Sequence, residues 1–164
     1  MTAQILTQEY LHTLFDYKDG ELYWKIKTSN RIKIGTKAGT IAKRGNLNIN
    51  INKKLHKAHR LIFMMHYGYV PSIIDHIDGN PLNNNIKNLR PATEMQNHHN
   101  MAISKRNTSG IKGVCWDKSK NKWLARCNFD YKAHHVGYCD KIEEAKKSIE
   151  LYRNYLHGEF ARHK

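Results

Sequence analysis

Asp75 and His76 stand side by side, Asn88 and Asn97 follow at short intervals, and further asparagines crowd the stretch DHIDGNPLNNNIKNLRPATEMQNHHN that contains all four. A carboxylate and an amide carbonyl are both hard oxygen donors, suited to a divalent cation such as Mg²⁺. One carboxylate with one amide leaves a site less negative than two carboxylates would, which suits a site that must also accept a phosphate. A histidine beside such a cation can act as general base on water. It needs a partner to fix its tautomer and ring plane, and an asparagine can supply that hydrogen bond without adding charge.

Four short elements would have to bring these side chains together. IIDHID is too short and too β-branched for a helix and reads as a strand; an Asn-rich loop follows, then an extended NLR. Thr93 and Gln96 form a Thr-x-x-Gln capping box that opens a helix to about Met101. Neighbours on a regular strand point to opposite faces, so for both Asp75 and His76 to line a site the strand must bend or end there. Upstream, residues 7–15 suit a short helix. LFDYKDGELYW suits a hairpin turning at Asp19-Gly20, and Leu47, Ile49 and Ile51 alternate with Asn as in a half-buried strand that turns near Lys53-Lys54. In AHRLIFMMHYG, Ala58, Leu61, Ile62 and Met65 fall at helical spacing and Gly68 sits at the C-terminal cap.

The motifs HR, DHIDGN, NNNIKNLRPAT and QNHHN closely resemble the HNH endonucleases of phages and mobile introns, with their ββα-metal motif, over roughly Phe15 to Asn100. The resemblance implies His76 as general base and Asn88 as the middle asparagine that holds the loop and helps orient His76. It implies Asp75 and Asn97 as ligands of a single divalent metal, Mg²⁺ with Mn²⁺ as a substitute, and His59 as a supporting residue. No structural zinc is expected. The remaining loop asparagines, Asn80, Asn83, Asn84 and Asn85, are assigned to Asx turns. The implied reaction is phosphodiester hydrolysis to 5′-phosphate and 3′-hydroxyl ends.

AISKRNTSG is polar and ends in Gly, so a linker is placed at 102–109 between domains at 1–101 and 110–164. IKGVCW, KWLARCNF and KAHHVGYC then read as three strands. Asp140-x-x-Glu143 reads as a cap for an amphipathic helix with Ile142, Ala145, Ile149, Tyr152 and Leu156 on one stripe, ended by Gly158. This half resembles the plant ethylene-response-factor type of DNA-binding domain, on KGV, KW-A, VGY and EEA. By alternation Trp123, Ala125 and Cys127 face the helix, while Leu124, Arg126 and Asn128 face away. The resemblance implies Lys112, Arg126, Asn128 and His135 at DNA, with Lys118, Lys120 and Lys122 on phosphates. Arginines expected at the sheet are here Cys115, Asn128 and Ala133, so base preference does not carry over.

The fold class expected is therefore α+β: an HNH ββα-metal module with flanking β-hairpins, then a three-stranded antiparallel sheet with one helix. The bulk composition agrees with a polyanion partner. Lys and Arg number 28 against 14 Asp and Glu, a net charge of +14 with His neutral, spread along the chain. Double-stranded DNA is the leading candidate. No stretch is apolar for long enough to span a membrane and no secretory signal is seen, so a cytoplasmic location is expected. Cys115, Cys127 and Cys139 are odd in number and lack a CxxC pair, which argues against a disulfide framework or a zinc site and for small buried side chains. Nothing specifies a dimer interface, and a monomer is favoured. The rival reading is a non-catalytic DNA-binding regulator on a dead nuclease scaffold. An RNA-binding module is more distant, because no ribonucleoprotein aromatic motif occurs.

Overall fold

A computed structural model describes residues 6–43 and 45–163. Part of the N-terminal stretch searched for a secretory signal lies outside the described residues. The chain divides into two compact units, Met1–Ala92 and Thr93–Lys164. The helix opened by Thr93 and the polar segment 102–109 both fall in the second unit.

The first unit begins with helix α1 (Gln8–Leu14), capped by the Thr7 side chain, which accepts from the Tyr10 N–H. Strands β1 (Phe15–Lys18) and β2 (Glu21–Trp24) form the expected hairpin, with Asp19 and Gly20 both at positive φ in the turn. Strands β3 (Thr40–Ile41), β4 (Leu47–Ile51) and β5 (Lys54–Lys57) make an antiparallel sheet in the order β3-β4-β5. Its β4–β5 turn is Asn52-Lys53, one residue earlier than expected, because these two residues take the left-handed conformation. Helix α2 (Ala58–Tyr67) ends at Gly68, whose φ of 74° closes the helix through its N–H to the Met64 carbonyl. Strands β6 (Ile73–His76) and β7 (Leu89–Ala92) pair antiparallel, with a 3₁₀ turn at Ile86–Asn88 between them. Leu11, Phe15, Leu22, Ile49, Ile62 and Phe63 are fully buried and join these elements in one core. That core burial is what holds the short β6–β7 ribbon, since an isolated two-stranded hairpin is marginal in water. Arg60 on α2 donates to the carbonyls of Pro71 and Ser72, tying the helix to the entry of β6.

The second unit opens with helix α3 (Glu94–His99), and its Thr93–Gln96 capping box forms in both directions. Segment 102–109 has no helix or strand, but Asn107 and Ser109 bond the carbonyls of Ile111 and Val114 and so fasten it to the sheet that follows. That sheet is β8 (Val114–Asp117), β9 (Lys122–Phe129) and β10 (Lys132–Cys139), antiparallel in the order β10-β9-β8. Helix α4 (Ile142–His157) packs across it. Ala125 and Cys127 meet Ala145 and Ile149 in the core, with Trp123 beside them, so the alternation along β9 is as expected. The Asp140 cap does not form: the N-cap is Lys141, with no side-chain bond, because the Asp140 carboxylate is drawn to Lys122 at 3.1 Å. The three cysteines form no disulfide. Among the described residues no helix is long and apolar enough to cross a membrane.

Candidate active site

Strand β6 ends at His76, and the chain turns away at once into the loop that returns through the 3₁₀ turn to β7. This resolves the strand-alternation problem: Asp75 and His76 are both buried, at 4% and 9% exposure, at the end of a strand and not in its middle. Opposite Asp75 in register stands Arg90 on β7. Its Nε and one terminal nitrogen both lie 2.9 Å from the Asp75 Oδ2, giving a charge-assisted pair in a nearly dry setting.

His76 is gripped on two sides. Its Nε2 lies 3.0 Å from the Oδ1 of Asn84, a residue only 2% exposed. Against its ring stands His59 of α2, edge to face, with centroids 5.1 Å apart. Burial, and then the neighbouring His76, Lys57 and Arg60, push the His59 pKa down to about 3, so His59 is a neutral wall at ordinary pH. Its supporting role thus has a physical form: packing without charge.

Asn88 is bonded within the loop. Its Oδ1 accepts the Asp78 N–H at 3.0 Å, and its Nδ2 donates to Asp78 Oδ1 at 2.9 Å and to the Asn83 carbonyl at 2.8 Å. It holds the loop, as expected, and its backbone carbonyl accepts the N–H of Ile77, the residue after His76. A side chain bonded to the imidazole is Asn84, expected from the sequence among the Asx-turn residues. Six asparagines within Asn80–Asn97 are chemically alike, and no spacing rule tells which one turns inward; burial alone separates Asn84. The others do build turns: Asn80 Oδ1 accepts from Leu82, and Asn85 Oδ1 from Lys87. Asp78 is the loop's hub. Burial by itself would raise its pKa, but hydrogen bonds from Asn80, Asn83 and Asn88 outweigh that and hold its carboxyl below the usual range.

Asn97 lies exposed on α3, in the second unit, its backbone N–H donating to the Thr93 carbonyl. Among the described residues no three His, Cys, Asp or Glu side chains cluster as a metal centre. A site of one carboxylate and one amide, as the sequence suggests, is a different donor set. Of the residues expected at DNA, Arg126, Asn128 and His135 are exposed on the outer face of the sheet, with Arg126 and His135 directly opposite in register. Lys118 and Lys120 are exposed at the β8–β9 turn, and Lys120 also sits 4.0 Å over the Tyr138 ring. Lys122 pairs with Asp140. Lys112 departs from expectation. Its ammonium donates to the carbonyls of His99 and Met101, and burial brings its pKa down to about 8, so its head group braces the end of α3. A cleft of about 720 Å³ in this unit is lined by Lys112, Phe129, Arg153 and His157. It contains neither Asp75 nor His76.

The sequence profile of a family described as HNH endonuclease matches residues 56–99, from β5 through α3. Protein 3.8 of Escherichia phage T7 is 44% identical over 89 residues, which are 54% of this chain and 73% of that protein. The chain belongs to the HNH endonuclease family. An uncharacterised HNH endonuclease of Acanthamoeba polyphaga mimivirus is 35% identical over 106 residues, 63% of this chain and 54% of that protein. No solved structure matches. The HNH match covers His59, Asp75, His76, Asn84 and Asn88 of the first unit and Asn97 of the second.

Proposed function

We propose that this HNH protein is a metal-dependent DNA endonuclease in which His76 is the general base. The observation that carries the reading is the buried Asp75–His76 pair at the end of β6, inside the stretch matched to the HNH endonuclease family. A hard divalent cation, Mg²⁺ or Mn²⁺, would be held, as the family resemblance implies, by the oxygen donors of the Asp75 carboxylate and the Asn97 amide. Such an ion supplies Lewis-acid stabilisation of the charge that develops on phosphate oxygens. The remaining work belongs to the chain. His76 accepts a proton from water, the water oxygen attacks phosphorus, and the P–O3′ bond breaks. The departing oxygen takes a proton from solvent water to give a 3′-hydroxyl, and the phosphate stays on the 5′ end. Asn88 keeps the loop behind His76 closed, and His59 keeps water from one side of its ring.

The C-terminal sheet and helix are proposed as a DNA-holding module of ethylene-response-factor type. Arg126, Asn128 and His135 would face bases, and Lys118, Lys120 and Lys122 phosphates. The boundary at 102–109 is proposed as the functional one between cutting and holding, and the protein is proposed to act as a monomer in the host cytoplasm.

The test is supercoiled plasmid and phage genomic DNA, with Mg²⁺ or with chelator, beside His76→Ala. Relaxed or linear product only with metal and intact His76 supports the reading. Salt-sensitive binding of both DNAs without cutting would favour the regulator instead.

A further inference from the structure

We propose that Asn84 is the positioning residue for His76, and that the β1–β2 hairpin at the head of the chain holds Asn84 in place. The inference rests on the reading of His76 as the base. An amide buried to 2% exposure must be hydrogen-bonded or its desolvation goes uncompensated. The Asn84 Oδ1 meets His76 Nε2 at 3.0 Å. An amide oxygen only accepts, so Nε2 carries the proton and, in neutral imidazole, Nδ1 carries the lone pair. One bond thus selects both the tautomer and the ring plane of the base.

Asn84 is itself backed by chain from far away in sequence. Gly20, at φ +90° in the hairpin turn, presses on the loop so closely that a Cβ there would lie 2.5 Å from the Asn85 nitrogen and 2.8 Å from the Asn84 carbonyl carbon. Two residues past Asn84, the Ile86 N–H donates to the Tyr17 hydroxyl at 3.0 Å. Tyr17 is fixed in turn by an edge-on contact with His66 of α2, at 4.5 Å between centroids. The Asn84–Ile86 stretch is therefore clamped at both ends by one hairpin. Asn88 does not share this task, since its bonds stay inside the loop. His59 from α2 packs against the His76 ring, and Asp78 on the loop interacts with it electrostatically.

The experiment reads the His76 ring nitrogens by ¹⁵N NMR in the full chain, beside steady-state cleavage. Wild-type protein should show a pyrrole-type Nε2 and a pyridine-type Nδ1. Asn84→Ala should mix the tautomers and lower kcat about 10- to 100-fold, the usual loss when the group orienting a site histidine is removed, with KM unchanged. Asn84→Asp keeps an acceptor oxygen and should restore the tautomer and most of kcat. Gly20→Ala and Tyr17→Phe should move the ring signals in the same direction as Asn84→Ala, by less. A wild-type tautomer and kcat in Asn84→Ala, while His76→Ala is inactive, would overturn the positioning inference. So would a lowered melting temperature in Asn84→Ala with unmoved ring signals, which marks a purely structural role. Undiminished cutting by His76→Ala would instead overturn the proposed function, and the ring signals would still decide what Asn84 does.

Discussion

Replacing Arg90 by Leu removes the cation that faces Asp75 while keeping most of the side-chain volume. Both guanidinium nitrogens sit 2.9 Å from one carboxylate oxygen, with side-chain exposures of 11% and 4%. At that distance, and at an effective dielectric constant of about 20, the attraction comes to about 6 kcal/mol. Desolvation of the two ions offsets much of it, so the intact pair adds little net stability. Breaking it is another matter, because the carboxylate stays buried without the guanidinium, at a cost of about 3–5 kcal/mol. For a unit of this size each kcal/mol moves the midpoint by about 4–8 °C, so the first-unit transition should fall by at least ~12 °C. Calorimetry on the full chain measures it. A double-mutant cycle with Asp75→Asn isolates the pair, and the coupling should exceed about 2 kcal/mol. A coupling below about 0.5 kcal/mol would refute the view that Arg90 is what allows a carboxylate to be buried at the site.

Acid should weaken the first unit through His59. Its pKa is about 3 in the folded chain against 6.5 ordinarily, so the unfolded state binds more protons between those values. Stability is then complete above pH 6.5 and is lost as pH falls toward 3, by roughly 1.4 kcal/mol per pH unit at most. Urea unfolding at pH 7 and pH 5 should show the loss, and His59→Asn should flatten it. Asn88→Ala should open the 78–83 loop, lowering cleavage while leaving DNA affinity within about twofold, because the Asn88 amide is taken up by Asp78 and the Asn83 carbonyl. DNA affinity should fall roughly a thousandfold between about 50 and 200 mM salt if six phosphates are neutralised, and removing Lys118 and Lys120 together should reduce the logarithmic slope by about 2. Filter binding at several salt concentrations checks both numbers.

Local rules carried most of the architecture. The Asp19-Gly20 turn, the Gly68 stop, the Thr93–Gln96 box and the alternation along Lys122–Phe129 each depend on near neighbours in the chain, and each was formed as read. What could not be read depends on contacts distant in sequence. Asp140 lost its cap to Lys122 across the sheet, Lys112 turned inward to two carbonyls, and Asn84 became the partner of His76 because a remote hairpin leans on its backbone. Types of residue announced the chemistry; only packing divided the labour among identical amides.

A loop built from asparagines has a lifetime, because asparagine is thermolabile and ages to aspartate. The two key amides should age with opposite consequences. Asn84 offers an oxygen to His76, and an aspartate there would offer one still. Asn88 offers its NH₂ to the Asp78 carboxylate and the Asn83 carbonyl, and an aspartate would set a negative oxygen against both. Slow chemical decay of this protein should therefore be silent at one asparagine and fatal four residues later.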